Sequence, residues 1–370
     1  MSMIKITDQQ LIDGHNAGMT YKQIAEQFGV SVRQIERRGS KLAKMGLIHT
    51  HRAPGFMVIG ESTLKDKNGN VVMRWEKTAQ DKAAMESFML AAMEAFTDEL
   101  PRAKPSKEFN NSYSESLALY PVFDMHIGAL AHKHECGESY DTKIAENTLN
   151  KFFDYAIDKA PNSERAVLLI GGDFLHSDGM LPVTPASGHV LDQDSRYAKL
   201  VYVAIRAVRR AVELMLCKHQ TVEIQIVSGN HDESGMIWLR AAMAAFYELD
   251  TRVYVDVSPA IVHHTQYGKT FLAYHHGHTI KKPENLLAAC VSDWRADFGK
   301  SNNVYAHVGH WHHKALVENS LGIVENHGTL AAKDAYSTNG GWRSVRMAAV
   351  IIYDKDHGEI GRFNYYPSMG

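Results

Sequence analysis

The feature that most constrains the fold is an alternation of strand-like and helix-like segments that begins near Leu117. Several apolar runs have the length and β-branched content of buried strands, and the segments between them have the apolar spacing of helices. Strands that alternate with helices predict an α/β core whose functional loops follow the carboxyl ends of the strands. The clearest strand-like runs are ALYPVFDMH, RAVLLIGGD, TVEIQIVSGNHD and TFLAYHHGH, and the clearest helix-like ones are YAKLVYVAIRAVRRAVELML and MIWLRAAMAAFYE.

Each of five strand-like runs ends in a polar cluster rich in histidine, aspartate or asparagine. Neighbouring strand ends meet in space, so the clusters are expected to converge on one crevice although the sequence separates them. Imidazole and carboxylate ligands without thiolates suit Mn, Fe, Zn or Mg. Any one cluster alone is more often a surface turn or a core histidine, but the ordered set of five favours a metal centre. The clusters contain Asp124 and His126; Asp173 and His176; Asn230, His231 and Asp232; His275, His276 and His278; and His310, His312 and His313.

The ordered motifs D-M-H, G-G-D, G-N-H-D, H-G-H and G-H-W-H resemble those of the calcineurin-like metallophosphoesterase superfamily over about residues 117–366. The resemblance implies a four-layer α/β/β/α sandwich with a site for two divalent metal ions. Mn is the expected metal, and Mg, Fe and Zn are the alternatives. It implies that His231 faces the scissile phosphate, and Asp232 is expected to orient its imidazole. The implied ligands are Asp124, His126 and His312 for one metal, Asn230, His276 and His310 for the other, and Asp173 as the bridge.

The stretch G-D-F-L-H narrows the range of expected substrates. It resembles the corresponding stretch of the SbcD-type DNA repair nucleases, which carry an extra histidine at the position of His176. The layout also resembles metallophosphoesterases of tailed bacteriophages. The leading hypothesis is a Mn-dependent DNA nuclease that uses a metal-bridging hydroxide, with exonuclease and endonuclease action both open. No ATPase-binding region like that of SbcD is evident, which leaves an ATPase partner doubtful. One alternative is a phosphodiesterase or phosphatase acting on nucleotides or phosphoproteins, and another is a DNA-binding regulator with an inactive esterase domain.

Residues 1–52 have the pattern of a small helix-turn-helix domain. Thr20 and Ser31 stand where they can cap the second and third helices. The third helix, which contains Gly39, carries basic residues that are expected to bind DNA. A three-helix protein-contact module with a solvated basic face is the alternative. The basic residues are Arg33, Arg37, Arg38 and Lys41.

Residues 53–112 are interpreted as a connector and residues 113–370 as the catalytic domain. In the connector, alternating residues around Lys-Asn-Gly-Asn predict a β-hairpin. A helix over about residues 80–97 and a polar linker containing proline are expected to follow.

Composition excludes several classes of protein. The formal charge of −2 argues against a globally basic coat for nucleic acid, and no apolar run is long enough for a membrane span. The three cysteines form no CxxC pair, which fits the cytosol of a bacterial cell, with a phage gene as one source. Neither a monomer nor a homodimer is excluded.

Four smaller features of the sequence each have a structural and a functional interpretation. Two are expected to be structural: the arginines of the long helix as a solvated face rather than a DNA contact, and the histidines near Cys136 as a surface loop rather than a zinc site. The other two, stacking of Trp311 on a base and the lining of the site by C-terminal residues, stay open. The residues are Arg206, Arg209 and Arg210; His132, His134 and Cys136; Trp311; and Lys333, Asp334 and Tyr336.

Overall fold

The computed structural model describes residues 6–16, 19–44, 56–65, 71–80, 106–109, 112–185, 188–341 and 343–369. The chain divides into two compact units, Met1–Ala92 and Met93–Gly370. The helix expected over about residues 80–97 lies outside the described residues. None of the described helices is long and apolar enough to cross a bilayer.

Among the described residues, the first unit has three helices and a strand pair. The helices are α1 (Asp8–Asn16), α2 (Tyr21–Phe28) and α3 (Val32–Lys44). Strands β1 (Phe56–Lys65) and β2 (Val71–Gln80) pair in antiparallel fashion, which confirms the expected hairpin.

Capping fixes the boundaries of the helices. Thr20 and Gln23 form a capping box at the start of α2, and that helix ends at Gly29 in a left-handed conformation. Ser31 makes the same reciprocal contacts with Gln34 at the start of α3. The helices pack around the buried side chains of Ile6, Leu11, Ile24, Ala25, Ile35 and Leu42.

Gly39 does not interrupt α3. Its Cα faces the ring of Tyr21, and a Cβ at this position would lie 2.4 Å from the tyrosine hydroxyl oxygen. The glycine therefore allows α2 and α3 to approach closely, a benefit that offsets its lower helix propensity.

The second unit is a sandwich of two sheets. The six-stranded sheet has the order β13-β12-β3-β4-β5-β6, in which β3 to β6 are parallel. Its strands are β3 (Ser114–Val122), β4 (Ser163–Ile170), β5 (His219–Ile226), β6 (Val253–Val255), β12 (Ala348–Asp354) and β13 (Gly358–Tyr365). The five-stranded sheet has the order β10-β11-β9-β8-β7. Its strands are β7 (His263–Tyr267), β8 (Thr270–Tyr274), β9 (Asn303–Val308), β10 (Ala315–Asn319) and β11 (Gly322–Asn326).

Helices cover the outer faces of both sheets. Those packed on the six-stranded sheet are α5 (Thr142–Lys159), α6 (Tyr197–Leu216) and α7 (Glu233–Tyr247), while α8 (Pro283–Asp293) packs on the other. The remaining helices are α4 (Lys133–Cys136), α9 (Arg295–Lys300), α10 (Ala335–Asn339) and a 3₁₀ turn at Pro367–Met369. Between the sheets lies an apolar layer that includes Leu119, Leu169, Leu272 and Ile351. These four layers confirm the expected α/β/β/α fold.

Candidate metal centre

The five polar clusters follow the carboxyl ends of strands in both sheets. Three of them follow the parallel strands β3, β4 and β5, and two follow β8 and β9 of the second sheet. The ends of these five strands therefore face one crevice, as the sequence led us to expect. The side chains form adjoining groups, each with its own geometry.

The first group consists of Asp124, His126 and His312, whose ligand atoms lie within 4.8 Å of one another. His126 Nε2 is 3.2 Å from His312 Nε2, and His312 Nε2 is 3.3 Å from Asp124 Oδ1. Asp124 and His126 are buried, and His312 is partly exposed. Two imidazoles and one carboxylate in this arrangement suit a divalent cation.

The second group consists of Asp173, His276 and His310, again with ligand atoms within 4.8 Å of one another. His276 Nε2 lies 3.2 Å from Asp173 Oδ2 and 3.9 Å from Asp124 Oδ1. Asp124 Oδ1 therefore faces both groups, which places two candidate cation positions side by side.

The structure distinguishes His276 from its neighbour His275. Both ring nitrogens of His275 are used within its own turn, because Nδ1 accepts the Gly277 backbone N–H at 2.9 Å and Nε2 lies 2.9 Å from Thr279 Oγ1. His276 instead donates Nδ1–H to the Gly171 carbonyl at 3.0 Å and turns Nε2 toward Asp173. His276 is thus the histidine available to a cation.

Buried atoms without partners test whether metals fit. Asp124 Oδ1, Asn230 Oδ1 and His276 Nε2 are buried and have no hydrogen-bond partner. A buried polar atom left unsatisfied costs about 1–3 kcal/mol, so orphans at one place need an explanation. All are acceptors or metal-ligating atoms, and a divalent cation would satisfy each of them. The residues present therefore fit two divalent metal ions.

Backbone strain is concentrated at the same residues. Among the described residues, those other than glycine with positive φ all belong to the expected ligand set, with φ between 45° and 71°. Left-handed conformations of L-residues cost on the order of 1–2 kcal/mol each and persist where the surrounding structure imposes them. Here the backbone turns sharply after β3, β4 and β9, at residues that belong to the two candidate ligand groups. The residues are Asp124, His126, Asp173, His310 and His312.

Two glycines allow the loops to approach each other. A Cβ on Gly229 would lie 2.1 Å from Asp173 Oδ1. Gly172 has a φ of +91°, and a Cβ there would lie 2.6 Å from His276 Nδ1. Only glycine leaves room for the Asp173 carboxylate and the His276 imidazole at these positions.

A third group combines the expected metal ligand His126 with His231, expected to face the scissile phosphate, and with His176, the extra histidine of the nuclease resemblance. His126, His176 and His231 have ligand atoms within 4.8 Å of one another, and the rings of His176 and His231 stack with centroids 5.5 Å apart. His231 donates Nδ1–H to the His176 carbonyl at 2.8 Å. That contact fixes the ring and leaves Nε2 as the nitrogen that can exchange a proton.

The prediction that Asp232 orients the His231 imidazole is wrong. Asp232 is buried, and its oxygens accept backbone N–H groups of Asp173, Leu175 and Gly229 at 2.9–3.1 Å. The His176 carbonyl orients the ring instead. The sequence could not show this, because it does not reveal which acceptor a histidine ring finds.

Charge in the crevice favours a cation. Burial disfavours the charged imidazole of His276, but the carboxylates of Asp173 and Asp124 outweigh burial and raise its pKa to about 10. Burial would raise the pKa of Asp173, but His276 and His231 hold it well below its usual value. Burial and then His231 lower the pKa of His176 to about 4. Asp173 therefore stays ionised, as a metal requires of a carboxylate ligand, whereas His276 would have to release its proton when a cation binds.

His307, Glu325 and His327 form a further buried group with ligand atoms within 4.8 Å of one another. Here the polar atoms already have partners, since His307 Nδ1 lies 2.8 Å from His327 Nε2 and Glu325 pairs with Arg362 at 2.7 Å. None of the three residues contributes an orphaned buried atom. The guanidinium already supplies the positive charge, so this group is a satisfied polar network and not a metal site.

The structure also shows where the residues of the four smaller sequence features lie. On α6, Arg206 and Arg210 pair with Glu146 and Asp154 on α5, and Arg209 stacks on Phe246, so all have partners within the fold. His132, His134 and Cys136 lie in or beside the short helix α4 and belong to none of the candidate metal groups among the described residues. The ring of Trp311 is 49% exposed beside His310, and the charge of Asp334 acts on His176.

The basic residues of α3 fall into two sets. Arg33, Arg37 and Lys41 are exposed and recur every four residues, which places them along one face of the helix. Arg38 is half-buried and pairs with Asp8 of α1 at 2.7 Å. Arg38 therefore joins two helices of the first unit.

Comparison with known proteins gives a likeness at the level of structure only. No protein-family model matches the sequence, and no curated protein matches it. The phosphoesterase Yfce from E. coli is 17% identical, with a TM-score of 0.33, and the match covers 66% of this chain and 98% of that one. Vps29 from Entamoeba histolytica complexed with Zn²⁺ is 12% identical, with a TM-score of 0.30 and coverage of 68% and 99%.

A dimetal phosphatase from Danio rerio is 9% identical, with a TM-score of 0.36, and the match covers 69% of this chain and 99% of that one. At these identities and scores the likeness supports no conclusion about substrate or activity.

Proposed function

We propose that this protein is a two-metal phosphoesterase. The observation that carries the proposal is the pair of adjoining ligand groups, which are linked by the 3.9 Å contact between Asp124 Oδ1 and His276 Nε2, together with the orphaned buried atoms of Asp124, Asn230 and His276. Two divalent cations, when bound in such a site, would polarise a phosphoryl group and lower the pKa of water, and so supply a nucleophile at neutral pH.

The side chains of this protein would hold the two cations in place and provide a proton for the leaving oxygen. Asp124, His126 and His312 would hold one cation, and Asn230, His276 and His310 the other, with Asp173 between them. His231 is fixed through Nδ1, so a proton on Nε2 can pass to the leaving oxygen of the ester. His176 supports that ring by stacking against it.

Within this class, a DNA phosphodiester is the proposed substrate and Mn the proposed metal. His176 supports this choice, because the nucleases that the sequence resembles carry a histidine at this sequence position. The exposed stripe of Arg33, Arg37 and Lys41 gives the chain a surface that suits a phosphate backbone. The exposed ring of Trp311 beside His310 offers a face on which a base can stack.

The test is a substrate panel with purified protein in Mn or Mg. We expect cleavage of end-labelled linear DNA and of bis-p-nitrophenyl phosphate, little cleavage of p-nitrophenyl phosphate, and loss of all activity in Asp173→Ala. Cutting of closed circular DNA would identify an endonuclease. A preference for the monoester without DNA cleavage would contradict the DNA substrate and favour a phosphatase, and binding of no divalent ion would contradict the whole class.

A further inference from the structure

His278 lies in the crevice and has no role in the function proposed above. His278 follows the second-group ligand His276 by two residues, and its ring centroid lies 5.3 Å from that of His276 and 6.3 Å from that of His310. His278 is half-buried. Its Nδ1 is a buried atom with no hydrogen-bond partner. An imidazole nitrogen in this state costs free energy unless something binds to it.

The turn that carries His278 is held by another residue. His275 accepts the Gly277 N–H and pairs with Thr279, so the loop keeps its shape without help from His278. The rings of His275 and His278 stack at 4° with centroids 6.1 Å apart, which sets the orientation of the His278 ring. A histidine that is positioned but unpaired is suited to contact a ligand.

His278 is not placed as a further metal ligand. The second group whose ligand atoms all lie within 4.8 Å of one another contains Asp173, His276 and His310 but not His278. Its Nδ1 therefore lies beside the second cation position and outside its set of ligands. A neutral imidazole can donate one N–H, and an anionic oxygen held at that position is a strong acceptor for it.

We propose that His278 is an oxyanion-binding residue, which donates Nδ1–H to a phosphate oxygen held in the second-metal half of the site. This inference rests on the proposed phosphoesterase function and assigns to His278 a direct contact with substrate and with the phosphate product. The ligand class is a phosphate ester or inorganic phosphate.

The test measures binding of inorganic phosphate to Mn-loaded protein by titration calorimetry, together with bound Mn per chain. His278→Ala removes the donor and is expected to weaken phosphate binding about tenfold, the value of one charge-assisted hydrogen bond. His278→Asn places an amide N–H near the position of Nδ1 and is expected to restore affinity to within about threefold of wild type. Bound Mn stays unchanged in both variants. His357→Gln is the matched control, since that histidine is exposed in the turn between β12 and β13.

Four outcomes would overturn the assignment. If His278→Ala binds phosphate as tightly as wild type, or loses one equivalent of Mn, His278 is not an oxyanion donor. If the wild-type protein takes up two Mn ions but binds no phosphate, this inference fails while the metal centre stands. If the wild-type protein takes up no metal, the proposed function fails with it.

Discussion

The side-chain carboxylate of Asp232 accepts the backbone N–H of Asp173 at 3.1 Å. The same carboxylate accepts the N–H groups of Gly229 and Leu175 at 2.9 Å and 3.0 Å. Asp232 therefore joins the loop that presents the candidate bridging ligand to the loop that presents Asn230. A buried carboxylate that fixes the backbone of two such loops would affect metal affinity by holding the candidate ligands in position.

Substitution of Asp232 by alanine is expected to lower the affinity for the second metal by about 10–100-fold, because the ligand loops lose their common anchor. The measurement is Mn binding by titration calorimetry. Asp178→Ala is a matched control: this carboxylate accepts the N–H groups of Ser234 and Gly235 at the start of α7, which carry no ligand. That control should lose stability but keep its Mn affinity. Equal loss of affinity in both variants would contradict the role given to Asp232.

Replacement of His231 by alanine is expected to slow hydrolysis by about 10²–10⁴-fold, as loss of a general acid does, while both metals stay bound. The loss should be larger for DNA than for bis-p-nitrophenyl phosphate, because p-nitrophenolate needs little protonation when it leaves. Steady-state rates on both substrates and bound Mn per chain measure this. If the hydrolysis rates of the two substrates fell by the same factor, the result would argue against proton donation by His231.

Much of the fold follows from sequence patterns that reflect local physics. The strand-like runs that end at His126, Asp173 and His276 form the strands β3, β4 and β8. They could be recognised because buried strands need continuous apolar segments. The helix expected over YAKLVYVAIRAVRRAVELML spans Tyr197–Leu216. The grouping of the aspartate and histidine side chains could likewise be predicted, since parallel strand ends meet at one edge of a sheet.

Other features depend on three-dimensional contacts that the sequence does not encode locally. The acceptor for the His231 ring is a backbone carbonyl of His176, and every backbone has carbonyls. The unpaired Nδ1 of His278 becomes visible only when its neighbours are placed. The reason for a glycine at position 39 of α3 likewise depends on Tyr21, whose hydroxyl oxygen would lie 2.4 Å from a Cβ there.

The buried pair Glu325–Arg362 is expected to make stability depend on pH. Burial would raise the pKa of Glu325, but His327 and Arg362 outweigh burial and lower it from 4.5 to about 2. Since the folded pKa lies below the unfolded one, the stabilisation is present above pH 4.5 and is lost as the pH falls toward 2. The shift corresponds to about 3 kcal/mol at neutral pH.

The variant Glu325→Gln should therefore unfold with a free energy lower by about 3 kcal/mol at pH 7, and its deficit relative to wild type should shrink between pH 5 and pH 2. Urea unfolding of metal-free protein across this range measures the difference, and the metal-free form removes the contribution of bound ions. A deficit that stays constant with pH would show that Glu325 is not ionised in the folded protein.

Arg33 and Arg38 of the third helix provide the last test, because only one of them is free to meet DNA. Arg33 is exposed on the same face as Arg37 and Lys41, whereas Arg38 pairs with Asp8. If the stripe contacts phosphates, Arg33→Ala should weaken DNA binding on all sequences and lower the slope of log K against log salt by about one, since one fewer counterion is released. Arg38→Ala should leave that slope unchanged and lower the thermal stability of the helical unit slightly, as expected for an exposed ion pair. Binding measured at several salt concentrations without divalent metal, which prevents cleavage, separates the two variants. Equal slopes for wild type and Arg33→Ala would mean that this face of α3 does not bind nucleic acid and would favour a protein-contact role.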